Sequence, residues 1–593
     1  MPTETIQPVA AKGGDFLIED RAPGEIFTPE DYTEEQNMLA DTAREFMRKE
    51  VLPKTADILK LNYEVIRESM RKAGEIGLLA IEVPEAYGGL ALGKVTGALA
   101  SEISAMEGSW AVTFMGHTGI GSLPITYFGT DEQKAKYLPR FGTGEWISSY
   151  SLSEASSASD AMNAKAKAVL SPDGKSWILN GEKMWLTNGG FADVYITFAK
   201  VDGEHFTAFI IDKGSPGVSL GPEERKLGIK GSSTRPLILQ DAVIPKENLL
   251  GEIGKGHKIA FNILNIGRFK LGAGTVGGAK VALKEACEYA KERSAFGKKI
   301  ADFGLIQQKI GEMVARIFAA ESIAYRTAGL IDANLEGVHD NATSLKRIEE
   351  YDAECSIVKV FCSEVLDHVV DETVQIFGGA GYVEDYPVER YYRDARINRI
   401  FEGTNEINRL LVPGRIIRRA LSGALPIFDA AMALMDEAAP AGRPSAGDSG
   451  FLGAEVRLVK GAKKVSLMLL GLAAQKFQAK LQDQQEVMGF CADVVMEAYA
   501  LESVLLRTQK KAERDGEAAA APFVAALRVF AEGALSRIEA AARQALPTIE
   551  TGDMLATCME GVARFTDRVP TATIPLRRSL AALALDKDGY PAG

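Results

Sequence analysis

A change of hydrophobic period divides this 593-residue chain. Between about 146 and 255, short β-rich runs at 176–179, 194–198 and 206–211 alternate with Gly, Asn and Asp turns, and this predicts a small β-domain. On both sides the apolar residues recur at helical spacing. Upstream, Thr33 with Gln36 forms a capping box before Leu39, Ala43, Phe46 and Met47, and helical patterns run to about 145. Pro84, Gly88 and Gly89 mark one loop inside them. Downstream, long helical patterns occupy 256–420. A stretch rich in Ala, Pro, Gly and Ser at 437–450 reads as a linker or mobile loop, and helices resume over 451–593 with an interruption at 514–521. The expected fold is mainly α with a central β-domain. It divides into a loose N-terminal arm (1–30), a helical domain (31–145), the β-domain (146–255), a second helical domain (256–420) and a C-terminal helical extension (421–593). No single hydrophobic core serves a chain of this length.

Charge and composition narrow the function. A net charge of -12 argues against a nucleic-acid partner, because binding phosphate wants a basic surface. The five cysteines are scattered through apolar helical patterns, and the five histidines show no ligand spacing, so neither a disulfide framework nor a metal site is expected. The N-terminus lacks an apolar core and carries Glu4, Asp15, Glu19 and Asp20, which speaks against a signal peptide. No run of 18 apolar residues could span a bilayer. The expected location is cytoplasmic, peripheral on the inner face of the membrane, or the matrix as a mature organellar form.

One carboxylate stands out. Glu402 lies between an apolar run and Gly403, where a helical pattern breaks and a chain reversal could project it into a pocket. Alone, this pattern is more often a surface loop before a helix cap. Its company is a set of segments in fixed order: Ser151-Leu152-Ser153-Glu154 through Ser159-Asp160, then Met184-Trp185-Leu186-Thr187-Asn188-Gly189, Arg293-Ser294-Ala295-Phe296-Gly297, and Gln375-Ile376-Phe377-Gly378-Gly379. Over about 33–415 these segments resemble the acyl-CoA dehydrogenase family, and the added C-terminal region resembles its very-long-chain subfamily. The resemblance implies a helical domain, a β-barrel domain and a four-helix-bundle domain. It also implies FAD as hydride acceptor, since no side chain can take a hydride. The implied reaction is α,β-dehydrogenation of a long-chain acyl-CoA to the trans-2-enoyl-CoA in fatty acid β-oxidation, with electrons passed to electron-transfer flavoprotein.

By resemblance, Glu402 is the base that removes the α-proton. Some relatives place the base one residue before an arginine on an earlier helix, but here Gly267 precedes Arg268 and cannot serve. FAD contacts are implied at Tyr150, Leu152, Ser153, Ser159, Trp185, Leu186, Thr187, Arg293, Phe296, Thr404 and Glu406. Gln375, Gly378 and Gly379 are implied to reach it from a neighbouring subunit, hence a homo-oligomer, at least a dimer. Ser159, Asn265, Arg268, Phe401 and Gly403 are implied in substrate binding, Arg268 toward CoA. In the family the thioester carbonyl is polarised by the backbone N–H of the catalytic Glu and a flavin ribityl hydroxyl. Two departures occur. Ala155-Ser156-Ser157-Ala158 replaces Pro-Gly-Ala-Gly, and Gly304 stands where many relatives use a glutamine on FAD, as very-long-chain members also do.

Other readings share the fold: an acyl-CoA oxidase using oxygen, or a moonlighting assembly factor for a respiratory complex. Two local features carry further expectations. Small residues Gly108, Ala111 and Gly116 leave room for a deep acyl channel, or else serve tight helix packing. Arg457, Lys460, Lys463, Lys464, Lys476 and Lys480 beside Leu458, Val465, Leu469 and Leu472 suit a helix lying in an anionic membrane surface, or else a core helix with a solvated charged face.

Overall fold

The computed structural model describes residues 11–338, 340–438 and 450–592. The capping box forms as expected. Gln36 N–H donates to Thr33 Oγ1 at 3.2 Å and Thr33 N–H to Gln36 Oε1 at 3.0 Å, opening helix α1 (Glu34–Phe46). The N-terminal domain also contains α2 (Lys94–Ser104) and α3 (Gly108–Met115), packed around Trp110 and Phe114.

The β-domain follows with eight strands: β1 (Ser148–Ser151), β2 (Lys167–Leu170), β3 (Ser176–Thr187), β4 (Val194–Val201), β5 (His205–Asp212), β6 (Val218–Leu220), β7 (Thr234–Pro245) and β8 (Leu249–Leu250). They form one sheet in the order β6-β7-β3-β2-β4-β5-β8, with β1 parallel to β4. Alternate residues of β3 and β7, such as Leu179, Leu237 and Leu239, fill its core.

Three long helices build the second helical domain: α4 (Gly256–Glu292), α5 (Gly304–Leu335) and α6 (Asp352–Phe377). Helices α4 and α6 run side by side in the same direction. Gly272 faces Val358, Gly278 faces Leu366, Thr373 Oγ1 donates to Ala282 O, and Tyr289 stacks on Phe377 at 4.0 Å. Helix α7 (Asn405–Leu421) starts beside them. The extension adds α8 (Gly453–Phe477), α9 (Gln485–Asp515) and α10 (Ala521–Ile549). Most of the linker expected at 437–450 lies outside the described residues.

Three expectations need correction. Residues 11–31 are not a loose arm: Phe16 and Leu17 are buried, Gly14 N–H donates to Glu354 at 2.6 Å, and Tyr351 OH donates to Ala11 O at 2.6 Å. Glu30 and Glu321 flank the fully buried Arg507 of α9, which ties this segment to the extension. Helix α8 is the core-helix alternative. Val465, Leu469 and Leu472 are buried, and Lys463 is enclosed between Glu502, Asp20 and the Glu19 carbonyl, so the apolar stripe faces the protein interior instead of a bilayer. In the third case the small residues serve packing. A side chain at Gly108 would meet Asp394, one at Gly116 would meet the Thr187 methyl at 2.9 Å, and Ala111 is buried.

All five cysteines are buried and unpaired. No helix among the described residues is long and apolar enough to cross a membrane.

Candidate active site

Glu402 sits in the short reversal between a 3-10 turn (Arg396–Arg399) and α7. Its φ is +58° and that of Gly403 is +81°, so two consecutive residues are left-handed. Gly403 accepts that conformation without cost, whereas for glutamate it costs of order 1–3 kcal/mol unless the surroundings impose it. They do impose it here. Asn408 Nδ2 donates to the carbonyls of Gly403 (2.9 Å) and Thr404 (3.0 Å), and Lys359 Nζ donates to Gly403 O and Asn405 Oδ1, both at 2.7 Å. Arg268 Nε reaches Glu402 O at 3.4 Å, and Thr404 Oγ1 caps α7 through Ile407 N–H. Three helices therefore fix one turn.

The side chain points at α4. A Cβ built on Gly267 would stand 2.8 Å from Glu402 Oε2 and 3.0 Å from Oε1, so only glycine leaves room for the carboxylate there. The residue as a whole is half-buried, while Oε2 is buried and lacks a hydrogen-bond partner. Burial raises the Glu402 pKa to about 7, and the positive charges of Arg268 and Lys359 oppose that rise. A buried carboxylate that titrates near neutrality and carries a free lone pair can act as a general base. Arg268 is turned inward, toward Asn265 and the Glu402 turn. It is buried and donates to Asn265 Oδ1 at 2.8 Å.

The sequence-predicted residues fall into two groups. The first lies on β1, the segment that follows it, the end of β3 and the Glu402 turn. Tyr150 on β1 has a buried hydroxyl without a partner, and burial, with the charge of Glu402 adding to it, raises its pKa. The strip around it is tied to the end of β3, where Ser149 Oγ donates to Thr187 O at 2.6 Å and Met184 N–H donates to Ser153 O at 2.9 Å. A register shift between Lys183 and Leu186 bulges β3 and leaves Trp185 left-handed (φ +61°) and 52% exposed. Bulges re-aim side chains in this way. Leu186 faces the β-core and can offer only its backbone, Leu152 and Ser153 are half-buried, and Ser159 is exposed. The glycines missing from 155–158 are not needed, because residues 154–160 close a turn without a left-handed residue, through paired bonds between Glu154 and Ser157. Phe401 is half-buried beside Glu402, and Glu406 is exposed on α7.

The second group lies elsewhere. Arg293 and Phe296 follow the C-terminal end of α4, and Gln375, Gly378 and Gly379 close α6 beside them. From Gly267 to Arg293 the helix spans 26 residues, about 39 Å at 1.5 Å per residue. Phe296 is 96% exposed, and a side chain at Gly378 or Gly379 would meet nothing within 4 Å. One chain does not gather both groups into one pocket. Lys359, Asn405, Asn408 and Glu364 complete the site but were not predicted. A single cation in the apolar run Ser356-Ile357-Val358-Lys359-Val360-Phe361 was the available signal.

The residues fit FAD. A half-exposed indole re-aimed by a bulge, a buried phenol without a partner and an open pair of glycines offer a ring cover, a polar contact and a close backbone approach.

Comparison with known proteins agrees. Four family models match: "Acyl-CoA dehydrogenase, N-terminal domain" over residues 33–145, "Acyl-CoA dehydrogenase, middle domain" over 149–242, and two models described as "Acyl-CoA dehydrogenase, C-terminal domain" over 254–417 and 461–564. A Bacillus subtilis (strain 168) protein, "Probable acyl-CoA dehydrogenase", is 48% identical over 584 residues, covering 98% of each chain. The crystal structure of acyl-CoA dehydrogenase complexed with FAD from Bacillus anthracis superposes with a TM-score of 0.96 at 48% identity, covering 98% of this chain and 100% of that one. The human very long-chain specific mitochondrial enzyme is 38% identical over 65% of this chain and 58% of its own. The rat short-chain specific enzyme is 36% identical over 66% of this chain and 92% of its own.

Proposed function

Since the chain belongs to the acyl-CoA dehydrogenase family of FAD-dependent enzymes, we propose that Glu402 is its base and that it dehydrogenates long-chain acyl-CoA to the trans-2-enoyl-CoA for β-oxidation. The buried, unpartnered Glu402 Oε2 facing the space above Gly267 carries this reading. Bound FAD supplies the hydride acceptor, with Tyr150, Trp185 and Thr187 on one side of its site. Glu402 removes the α-proton. Its raised pKa, about 7, makes it a stronger base than an exposed carboxylate, and Arg268 and Lys359 keep a working fraction ionised. Among the described residues no group accepts the Glu402 N–H, which leaves that donor for the thioester oxygen as enolate charge develops.

The separation of the two cofactor groups supports a homo-oligomer in which Arg293, Phe296, Gln375, Gly378 and Gly379 of one copy complete the site of another. Electron-transfer flavoprotein is the proposed acceptor, and peroxide release in air would indicate an oxidase instead. For acyl length, similarity to the very-long-chain enzyme supports a long chain, while the short-chain relative is nearly as similar. Anaerobic flavin bleaching with butyryl-, octanoyl- and palmitoyl-CoA measures the preference.

The base is tested by Glu402→Gln. The variant should keep FAD and bind acyl-CoA but lose turnover by about 100- to 10,000-fold. Retention of more than roughly a tenth of the rate would remove Glu402 from the role.

A further inference from the structure

Lys359 is a cation with no exposure to solvent, set in an otherwise apolar stretch of α6. A buried lysine is costly unless its charge is used. Its ammonium makes hydrogen bonds at 2.7 Å to Gly403 O, the carbonyl directly after the catalytic residue, and to Asn405 Oδ1. Asn405 is itself held, since its Nδ2 donates to Ser363 Oγ and Glu364 Oε1, both at 3.1 Å, and Glu364 is clamped by Arg409. Lys359 therefore stands at the end of a rigid polar chain that leads to the left-handed turn. No atom of the lysine makes an ion pair with the carboxylate, so its influence on Glu402 is through the loop and through the field.

We propose that Lys359 is a positioning residue for the dehydrogenation: it locks the Glu402–Gly403 reversal through the Gly403 carbonyl and sets its ammonium behind the turn that carries the carboxylate. The proposal rests on Glu402 being the base. The charged and titratable groups that face that carboxylate are Arg268 from α4, Lys359 from α6 and Tyr150 from β1, while Glu364 from α6 and Glu406 from α7 act on Lys359. Cys355 and Asp352 also favour the charged form of Arg268, and the like charge of Arg415 opposes it. Within this set Arg268 and Lys359 alone lower the Glu402 pKa, and they come from different helices, so removing one leaves the other in place. Burial pulls the pKa of Lys359 down to about 7, and the negative charge of Glu402 opposes that. The two groups thus favour each other's ionised forms.

The two parts of the role separate experimentally. Lys359→Gln retains an amide donor for the Gly403 carbonyl but carries no charge, and Lys359→Met lacks both. The rate of flavin reduction by octanoyl-CoA, measured anaerobically in stopped flow from pH 5.5 to 9.5 on the FAD-loaded enzyme, is the readout. For Lys359→Gln the acidic limb should move up by about one pH unit, which makes it roughly tenfold slower at limiting low pH with recovery on the alkaline side. For Lys359→Met the alkaline plateau should fall as well. Asn405→Asp combined with Glu364→Gln serves if either lysine variant fails to fold. The glutamine amide can donate to the new carboxylate where Asn405 donated to Glu364, the negative charge moves against the ammonium, and the limb should move in the same direction.

Limbs that stay at the wild-type pH in Lys359→Gln and in the Asn405→Asp/Glu364→Gln pair, with only the plateau lowered, would reduce Lys359 to a structural anchor and overturn the proposal. Glu402→Gln run alongside separates the failures. If it keeps the wild-type rate and limb, the base assignment is wrong. If it is inactive while the lysine variants show an unmoved limb, only the role of Lys359 is wrong.

Discussion

Substituting Gly267 by alanine tests the pocket where its tolerance is smallest. The new Cβ would lie 2.8 Å from Glu402 Oε2 and 3.0 Å from both Cδ and Oε1, against about 3.4 Å for an ordinary contact. The carboxylate is the mobile partner, so it gives way by about 0.6 Å while α4 stays in place. In an isolated helix the substitution would gain roughly 1 kcal/mol, because alanine is the better helix former. Fold and thermal transition should therefore change little. Catalysis should not tolerate the shift. A misplacement of about 1 Å in a reacting group can cost about 100-fold, so a displacement of this size predicts a loss of about 10- to 100-fold in flavin reduction. The added methyl also further desolvates a carboxylate whose pKa burial has already raised to about 7. Activity requires the ionised form, so the acidic limb should move to higher pH. The assay is anaerobic flavin bleaching across pH on protein of confirmed FAD content. A variant within about threefold of wild type, with an unmoved limb, would show that Glu402 does not act from the position facing Gly267.

The interior of the N-terminal domain gives a second prediction: Ala111→Gln should overpack α3 by about 1–3 kcal/mol and lower the thermal transition while leaving the acyl-length profile unchanged, and a shortened profile would reinstate a channel there. Lys463→Met should cost roughly 1–3 kcal/mol, because Glu502 keeps Arg326 as a partner at 2.7 Å, and should expose residues 11–31 to limited proteolysis. Wild-type protein should stay in the supernatant with anionic liposomes at low salt, and salt-reversible pelleting would contradict the inward orientation of α8. Trp185→Ala should lower FAD occupancy without unfolding the β-domain, and an unchanged rate of flavin release would remove the indole from the cofactor site.

What the sequence made legible follows from how local each signal is. The β-domain shows itself because a change of period is a property of neighbouring residues, and the capping box of α1 needs only Thr33 and Gln36. Glu402 is readable through the adjacent Gly403 and through an ordered set of segments. The N-terminal segment misleads for the opposite reason. Pro, Gly and charge near Phe16 and Leu17 look like loose chain, whereas the acceptor of Gly14 N–H is 340 residues away. Helix α8 misleads similarly, since a stripe of leucines beside lysines has the same pattern whether it faces lipid or Glu502. Lys359 is the sharpest case. Local sequence marks it as an anomaly in an apolar helix and says nothing of its partners, because the carbonyl it holds lies 44 residues away. The physical reason such a residue can exist is also the reason it is informative: desolvating an ammonium is unfavourable enough that the fold must return specific acceptors, and here those acceptors belong to the turn that carries Glu402. A buried charge without local explanation is therefore a pointer to whatever distant segment satisfies it, and in this chain that segment is the left-handed turn at Glu402 and Gly403.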